Sequence, residues 1–476
     1  MIMKKYLKLI LVGSLVVFTS SCDERLNLEP LTQVPVNGGL SNPNDFENAV
    51  KGQYTRFRAE AYYSGNLISF PDVQSDNLTF KEAGRGTQRV AHEWRYNSNS
   101  TQGGLLGTAY RIIQQSNIIL ENIDVLQDGD FKNNIIGEAL ATRALAHFDA
   151  VKTFAAIPSS SPNANQEPAL PYMTDSDINQ SPSRIPVGEF YDNLVNDLTT
   201  ALPLINANNG PGRLNKNGVN ALLSRLYLYM GRWQDAVNAA DAVTTPTGSR
   251  ADFTGIWNDS NTSDIIFDIK LNQVNPETPG VPYNQTLPAG IRSEYVCSFQ
   301  LFQLYQNSDI RKSAYITTAP FDGNQYNHVR KWLSSVNNTA TGRVNVKVLR
   351  KAEVLLNKAE ALANLNQDAQ ALAALDELRQ NRYLPFVSGG ETGQALKDAI
   401  QLERRLELAF EGHRFFDLKR QNLPVQRGPF GDFADGTGLL PFEPLLPAGD
   451  CRFNMPIPQL ELNINPNITQ NDCSFY

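Results

Sequence analysis

Histidine and cysteine are scarce in this chain, with four of each in 476 residues. His92, His147, His328 and His413 stand far apart, as do Cys22, Cys297, Cys451 and Cys473. No HExxH helix, nucleophile elbow or glycine-rich phosphate loop occurs, so metal-assisted hydrolysis, acyl transfer and phosphoryl transfer find no foothold. Neither a metal nor another cofactor is expected. Basic runs are missing too. Lys and Arg total 42 against 49 Asp and Glu, and an acidic surface repels phosphate backbones, which argues against nucleic acid as a partner. Beyond Phe18 no stretch approaches the run of about 20 apolar residues that a membrane-crossing helix needs.

The first residues are of another kind. Lys4, Lys5 and Lys8 precede an apolar run from Leu9 to Phe18, then Thr19, Ser20 and Ser21 lead into Cys22. This reads as a cleaved export signal over residues 1–21. A cysteine directly after small residues resembles a bacterial lipobox, although Thr19 replaces the usual leucine. Acyl chains on Cys22 would anchor the protein firmly, at about 0.8 kcal/mol per buried CH₂. Residues 22–40 would then be a tether. Without the signal, 39 Lys and Arg face 49 Asp and Glu. In an oxidising compartment Cys451 and Cys473 are expected to pair, leaving Cys297 free; closing that loop restricts the unfolded chain by roughly 3 kcal/mol.

The rest reads as mostly α. Asn42, Pro43 and Asp45 form a helix start that predicts a helix to about Arg58. Leu140, Ala144, Phe148, Val151 and Ala155 recur at helical spacing, as do Leu349, Ala352, Leu356, Ala359 and Ala363, predicting two long amphipathic helices. A weak repeat places Met230–Val237 (MGRWQDAV) over Leu365–Leu372 (LNQDAQAL), with Gly231 aligned to Asn366 and Ala236 to Ala371. Gly and Asn tolerate the left-handed turn that a tight helical hairpin needs, and Ala lets helices approach, which resembles a tetratricopeptide pair. Long segments at 156–186 and 251–343, rich in Pro, Asn, Ser, Gly and aromatics, interrupt any regular tiling. The β-branched run Ile265–Leu271 predicts a strand within the second.

Four blocks now resemble the SusD/RagB family: Glu138–Ala155, Leu349–Leu365, Glu403–Arg420 and Met455–Asn471. Between Gly103 and Tyr110 the chain departs from it, with Gly and Leu where a Trp is usual. The resemblance implies one domain over residues 41–476, built as an α/α superhelix of four tetratricopeptide-like pairs, with the irregular segments packed opposite as a ligand-binding face. It also implies an outer-membrane, cell-surface lipoprotein without catalytic activity, which captures oligosaccharide or peptide for a SusC-like TonB-dependent barrel. Alternatives are a secreted glycan hydrolase and a periplasmic helical-repeat scaffold.

The charged block at 403–420 reads as an ion-pair lattice, with Arg404 and Glu407 neighbours at i,i+3. Asp72 and Asp76 are the nearest approach to a paired-carboxylate site; their loop reads instead as a source of hydrogen bonds to ligand hydroxyls. Trp233 and Trp257 lie in periodic elements and are expected in the core. Trp94 and Tyr96 lie in the polar loop HEWRYNSNST, so they are expected as an exposed ligand platform, with Tyr283 and Trp332 as further members. Asp72, Asp76, Asn77 and Arg85 would orient the ligand. Lys81, Arg85, Arg89 and Arg95 outnumber Glu82 and Glu93, a hint of an acidic glycan.

The N-terminal reading is testable by mass. Membrane-purified protein should begin at Cys22 and carry the acyl mass, and Cys22→Ala should release soluble protein. An unmodified thiol at Cys22 would refute the assignment.

Overall fold

The computed structural model describes residues 39–82, 84–271, 277–288, 290–336 and 342–476. The expected export signal, Cys22 and nearly all of the expected tether lie outside the described residues. Helix α1 (Pro43–Phe57) starts where its cap dictates. The Asn42 side chain accepts from the Asn44 and Asp45 amides, and Asp45 accepts in return from the Asn42 amide. Helices α2 (Asn66–Gln74), α3 (Gly103–Glu121), α4 (Asp130–Phe154), α5 (Val187–Leu204), α6 (Lys216–Met230) and α7 (Trp233–Asp241) follow. Then come α8 (Lys351–Asn364), α9 (Asp368–Arg379), α10 (Gly393–Glu407), α11 (Arg414–Arg420) and α12 (Gln459–Ile464).

Helices α3 to α9 pack largely in chain order, each on the next, and α1 lies against α3 and α4. The hairpin turns work as their residues require: Gly231 between α6 and α7 has φ +70°, and Asn366 between α8 and α9 has φ +59°. Helix α4 differs from the amphipathic expectation, because from Gly137 onward it is buried on every side. Its polar residues are paired inside the protein. Arg143 forks onto Asp197 at 2.6 and 2.7 Å, Glu138 receives Tyr54 and Arg213, and Asp149 receives Tyr62, Tyr63 and Lys152. Gly137 lets α4 approach the next connection, since a Cβ there would stand 2.7 Å from the Ile205 nitrogen.

Among the described residues, the irregular segments form five antiparallel two-stranded ladders. These pair β1 (Leu78–Phe80) with β5 (Tyr295–Cys297), and β2 (Ile265–Ile269) with β8 (Val346–Arg350). The remaining ladders pair β3 (Gln285–Leu287) with β4 (Gly290–Arg292), β6 (Ile316–Phe321) with β7 (Asn324–Val329), and β9 (Val425–Gln426) with β10 (Leu445–Leu446). Leu349 therefore belongs to a strand opposite Phe267, and its helix begins only at Lys351. Trp257 is in the core as expected, whereas Trp233 is half-buried at its edge. Cys451 and Cys473 are bonded with their Cα atoms 5.5 Å apart, and Cys297 is free and buried.

The charged block over 403–420 is two helices, not one, broken where Phe410 and Gly412 take φ +65° and +77°. Its lattice is long-range and buried. Arg404 does not pair with Glu407; it binds Asp417 at 2.9 Å and Asn357 at 2.7 Å. Glu403, Glu407 and Glu411, four residues apart, face a set of arginines from elsewhere. Glu407 receives Arg382 at 2.9 Å, Arg350 at 3.0 Å and Arg311 at 3.2 Å, Glu411 receives Arg350 and Lys331, and Glu403 receives Arg311 and Arg379. Burial alone would raise the Glu407 carboxyl, yet Arg382, Arg350 and Arg311 hold it well below the usual range. Glu353 is likewise brought down against burial to about 2, chiefly by Arg225.

Removing one member of such a cluster strands buried charge. Glu407→Ala should cost about 3–5 kcal/mol in denaturant unfolding. Because the Glu407 and Glu353 carboxyls are depressed in the fold, their contribution is present above the ordinary carboxylate range and is lost as pH falls toward about 2. Acid titration of wild type followed by circular dichroism should show that loss, and a Glu407→Ala protein as stable as wild type would refute it.

Candidate ligand-binding face

The residues expected to form an exposed platform are gathered by the fold, but they lie beneath the surface. Asp72, Asp76, Asn77, Trp94, Tyr96, Tyr283 and Trp332 are all buried. Asp72 accepts from the Tyr283 hydroxyl at 3.0 Å and from the Gly412 amide at 3.3 Å. Asp76 is clamped by Arg414 at 2.8 and 2.9 Å and by Arg405 at 3.2 Å, and Arg405 also reaches Asn77 at 2.9 Å. Trp332 donates its indole N–H to the Phe410 carbonyl at 2.8 Å. Tyr96 lies against Gln74 and donates to the Arg452 carbonyl. The two aspartates are therefore buried and turned onto partners inside the protein. A polar sequence window had suggested exposure; partners far along the chain supply the cover.

Trp94 holds this layer to the surface. Its indole N–H donates to the Gln74 carbonyl at 3.0 Å, and it adopts φ +49°. The Arg427 guanidinium lies over its ring at 4.1 Å, a desolvated cation–π contact. Arg427 also donates to the Val73 and Ser75 carbonyls at 3.2 Å and to the Glu443 carbonyl at 2.9 Å. Its amide donates to the Pro444 carbonyl at 2.9 Å. Trp94 thus supports the loop Pro441–Pro444, on which Phe442 stands 69 % exposed. Sequence reasoning missed Phe442. The signal was present: an aromatic between Pro441 and Pro444 cannot join a helix and is hard to pair in a sheet.

Next to Trp94 in the chain lies a row of guanidinium groups. Arg85, Arg89 and Arg95 are each about half exposed, and each is anchored through Nε at 2.7 Å to a buried carboxylate, Glu294 for Arg85 and Glu93 for the other two. Arg89 also covers the Phe80 ring at 5.2 Å. Beneath the neighbouring strands, buried Lys81 sits 3.8 Å from the Phe321 centroid and 4.3 Å from that of Tyr326. Burial lowers it to about 8. At the other end of the β1–β5 pair, half-buried Phe299 and Phe302 stack, and Phe430 meets Phe299 edge-on at 5.2 Å. The face therefore offers apolar rings and donor-only groups fixed from below, which suits an acceptor-rich ligand with flat apolar faces.

Burial raises the Asp72 carboxyl from 3.8 to about 8, with the Tyr283 and Gly412 hydrogen bonds only partly offsetting it. A carboxyl raised in the fold favours the native state when protonated, so stability falls as pH rises from about 4 to about 8. Asp72→Asn should flatten the melting-temperature profile across that window. Parallel profiles for the two proteins would refute it.

The comparisons with known proteins agree with this architecture. The model of the SusD family matches residues 300–476, and a second model, described as starch-binding and associating with the outer membrane, matches residues 42–228. SusD-like protein P2 of Formosa agariphila is 24 % identical, covering 99 % of this chain and 100 % of the relative. SusD-like protein P38 of the same organism is 23 % identical over 89 % and 92 %. Among solved structures, one described as a putative sugar binding protein from Bacteroides vulgatus superposes with a TM-score of 0.81 at 25 % identity, over 92 % of this chain and all of that one. The surface glycan-binding protein A of Bacteroides uniformis shares the fold, with a TM-score of 0.73 at 17 % identity over 90 % of this chain and 99 % of that one.

Proposed function

Because this chain belongs to the SusD/RagB family, we propose that it captures oligosaccharide at the cell surface and passes it to a SusC-like TonB-dependent outer-membrane barrel, held to the membrane through lipid on Cys22. The family is one of carbohydrate-binding proteins. The barrel partner, the lipid anchor and the uptake role rest on that kinship and on the N-terminal sequence. Binding without catalysis is supported by the carboxylates that looked most like a pair, since Asp72 and Asp76 face inward onto Tyr283, Arg405 and Arg414.

The observation that carries the location is Phe442, a large apolar ring presented to solvent on a loop clamped through Arg427 to Trp94. A ring held in place from below loses little entropy when a sugar stacks on it. Arg85, Arg89 and Arg95 then supply donors to hydroxyl or carboxylate oxygens. Glycan is favoured over peptide because the groups on offer are flat apolar rings and donors, which match ring faces and hydroxyl oxygens.

Two substitutions separate presentation from support. Phe442→Ala should weaken binding to the cognate oligosaccharide about tenfold or more with an unchanged melting temperature. Trp94→Ala should both weaken binding and lower stability by about 3–5 kcal/mol, since it empties a packed site and releases Arg427. Calorimetry and thermal melts on the same preparations give both readings. Full affinity in Phe442→Ala would move the site elsewhere on the molecule.

A further inference from the structure

A second concavity lies away from this face, between the first half of α3, the connection 170–182 and the C-terminal segment 457–468. Its volume is about 450 Å³, within the range of small-ligand sites. It is formed in advance. The Tyr110 hydroxyl donates to the Pro171 carbonyl at 2.7 Å, Asn465 donates to the Pro182 carbonyl at 2.9 Å, and Asn467 donates to the Ser181 carbonyl at 2.6 Å, so the two walls are stitched to each other and to the floor. Asn117 and Glu121 of α3 fix the middle of the 170–182 connection through Asp175 and Ser176.

Its lining combines two features. The interior is aliphatic, with Leu106, Ile113 and Met173, and the mouth carries Ile178 and Ile464, 77 % and 63 % exposed. Ile178 and Ile464 thus continue the aliphatic lining out to the mouth, where a bound molecule would take both out of water. The charged groups are Asp175, Asp177 and Glu461 against Arg111 alone. Asp175 and Asp177 each spend an oxygen on turns within the loop. Glu461 is half-buried on α12, and among the described residues its carboxylate takes part in no hydrogen bond or ion pair. Burial raises its proton affinity, so a cation brought to it would be repaid for desolvation.

We propose that this groove docks a polypeptide segment of a partner protein in which a basic side chain is flanked by aliphatic ones, the basic group meeting Glu461 and the aliphatic groups meeting Ile178 and Ile464. A glycan fits it poorly. Tyr110 is the one aromatic ring in the lining, and its hydroxyl is already committed to Pro171. The site is separate from the Phe442 face and does not depend on the glycan reading.

The probe is a fluorescein-labelled acetyl-Ile-Lys-Leu-Lys-Ile amide, with the Glu-for-Lys peptide as its counterpart, titrated by anisotropy into the full-length chain. The basic peptide should bind saturably and weaken as salt rises, and the acidic one should not bind. Glu461→Gln and Ile178→Ser should each reduce affinity by about tenfold, an effect typical of losing a partly buried charge partner or an apolar anchor. Glycan binding in the same samples should not change, which keeps failure here distinct from failure of the glycan reading. Absence of saturable binding, equal binding of both peptides, or indifference to both substitutions overturns the proposal. So does sedimentation showing a dimer that Ile464→Ser abolishes, or displacement of the peptide by oligosaccharide, since the groove would then belong to a second copy or to the glycan.

Discussion

Glu407 sits where the two halves of this protein meet. It lies at the end of α10, and the guanidinium groups it receives come from a short helix at Arg311, from the end of β8 at Arg350, and from the turn after α9 at Arg382. One carboxylate thus binds the helical stack to the irregular segments. With Glu403 and Glu411 it forms a column of buried charge whose members are each paired more than once, the condition under which buried ions are tolerated. Apolar packing could hold the same elements at similar cost, but it would not fix their register. Fork-shaped guanidiniums bind in few orientations. The network therefore specifies how the irregular half sits, and everything on the ligand face inherits its position from that docking.

The face itself follows a similar logic at smaller scale. Side chains that reach solvent, Phe442 and the Arg85, Arg89 and Arg95 row, are each fixed by a residue with none of its own surface exposed to speak of: Trp94 through Arg427, Glu294 and Glu93. The layer below contains Asp72, Asp76, Asn77, Tyr96 and Tyr283, polar side chains whose partners are all internal. If it is the recognition surface proposed above, a face built this way would change little on binding. Its side chains are held before a ligand arrives, so less ordering entropy is lost.

How much of this the sequence disclosed depended on the distance over which each feature is determined. The Asn42 cap, the Gly231 and Asn366 turns and the strand at Ile265 rest on neighbours within a few residues, and local patterning finds them. The family blocks carried the architecture as a whole. What failed was the inference that the aromatics and the Asp72, Asp76 and Asn77 side chains are exposed because their neighbourhoods are polar; Arg85 does reach the surface. HEWRYNSNST looks solvated, yet Trp94 is covered by Arg427, which is 333 residues further along the chain. The Glu403–Arg420 block reads as one helix unless Gly412 is taken as a break, and its arginine partners cannot be guessed from spacing. Phe442 was legible from its flanking prolines and was passed over because no periodicity drew attention to it.

Among the described residues, the five ladders of the irregular half each pair two strands. In a continuous sheet, a residue gained or lost in one strand shifts the register of every strand beyond it, and side chains exchange faces. Here the hydrogen-bonded register is shared by one partner only, although β5 lies against β7 and β4 against β6. Hairpins and connections can lengthen, shorten or be replaced singly while the helical stack and its arginine column stay as they are. A fold divided in this way can acquire a new ligand by small, independent alterations to its surface, each tested by selection without risk to the rest of the molecule.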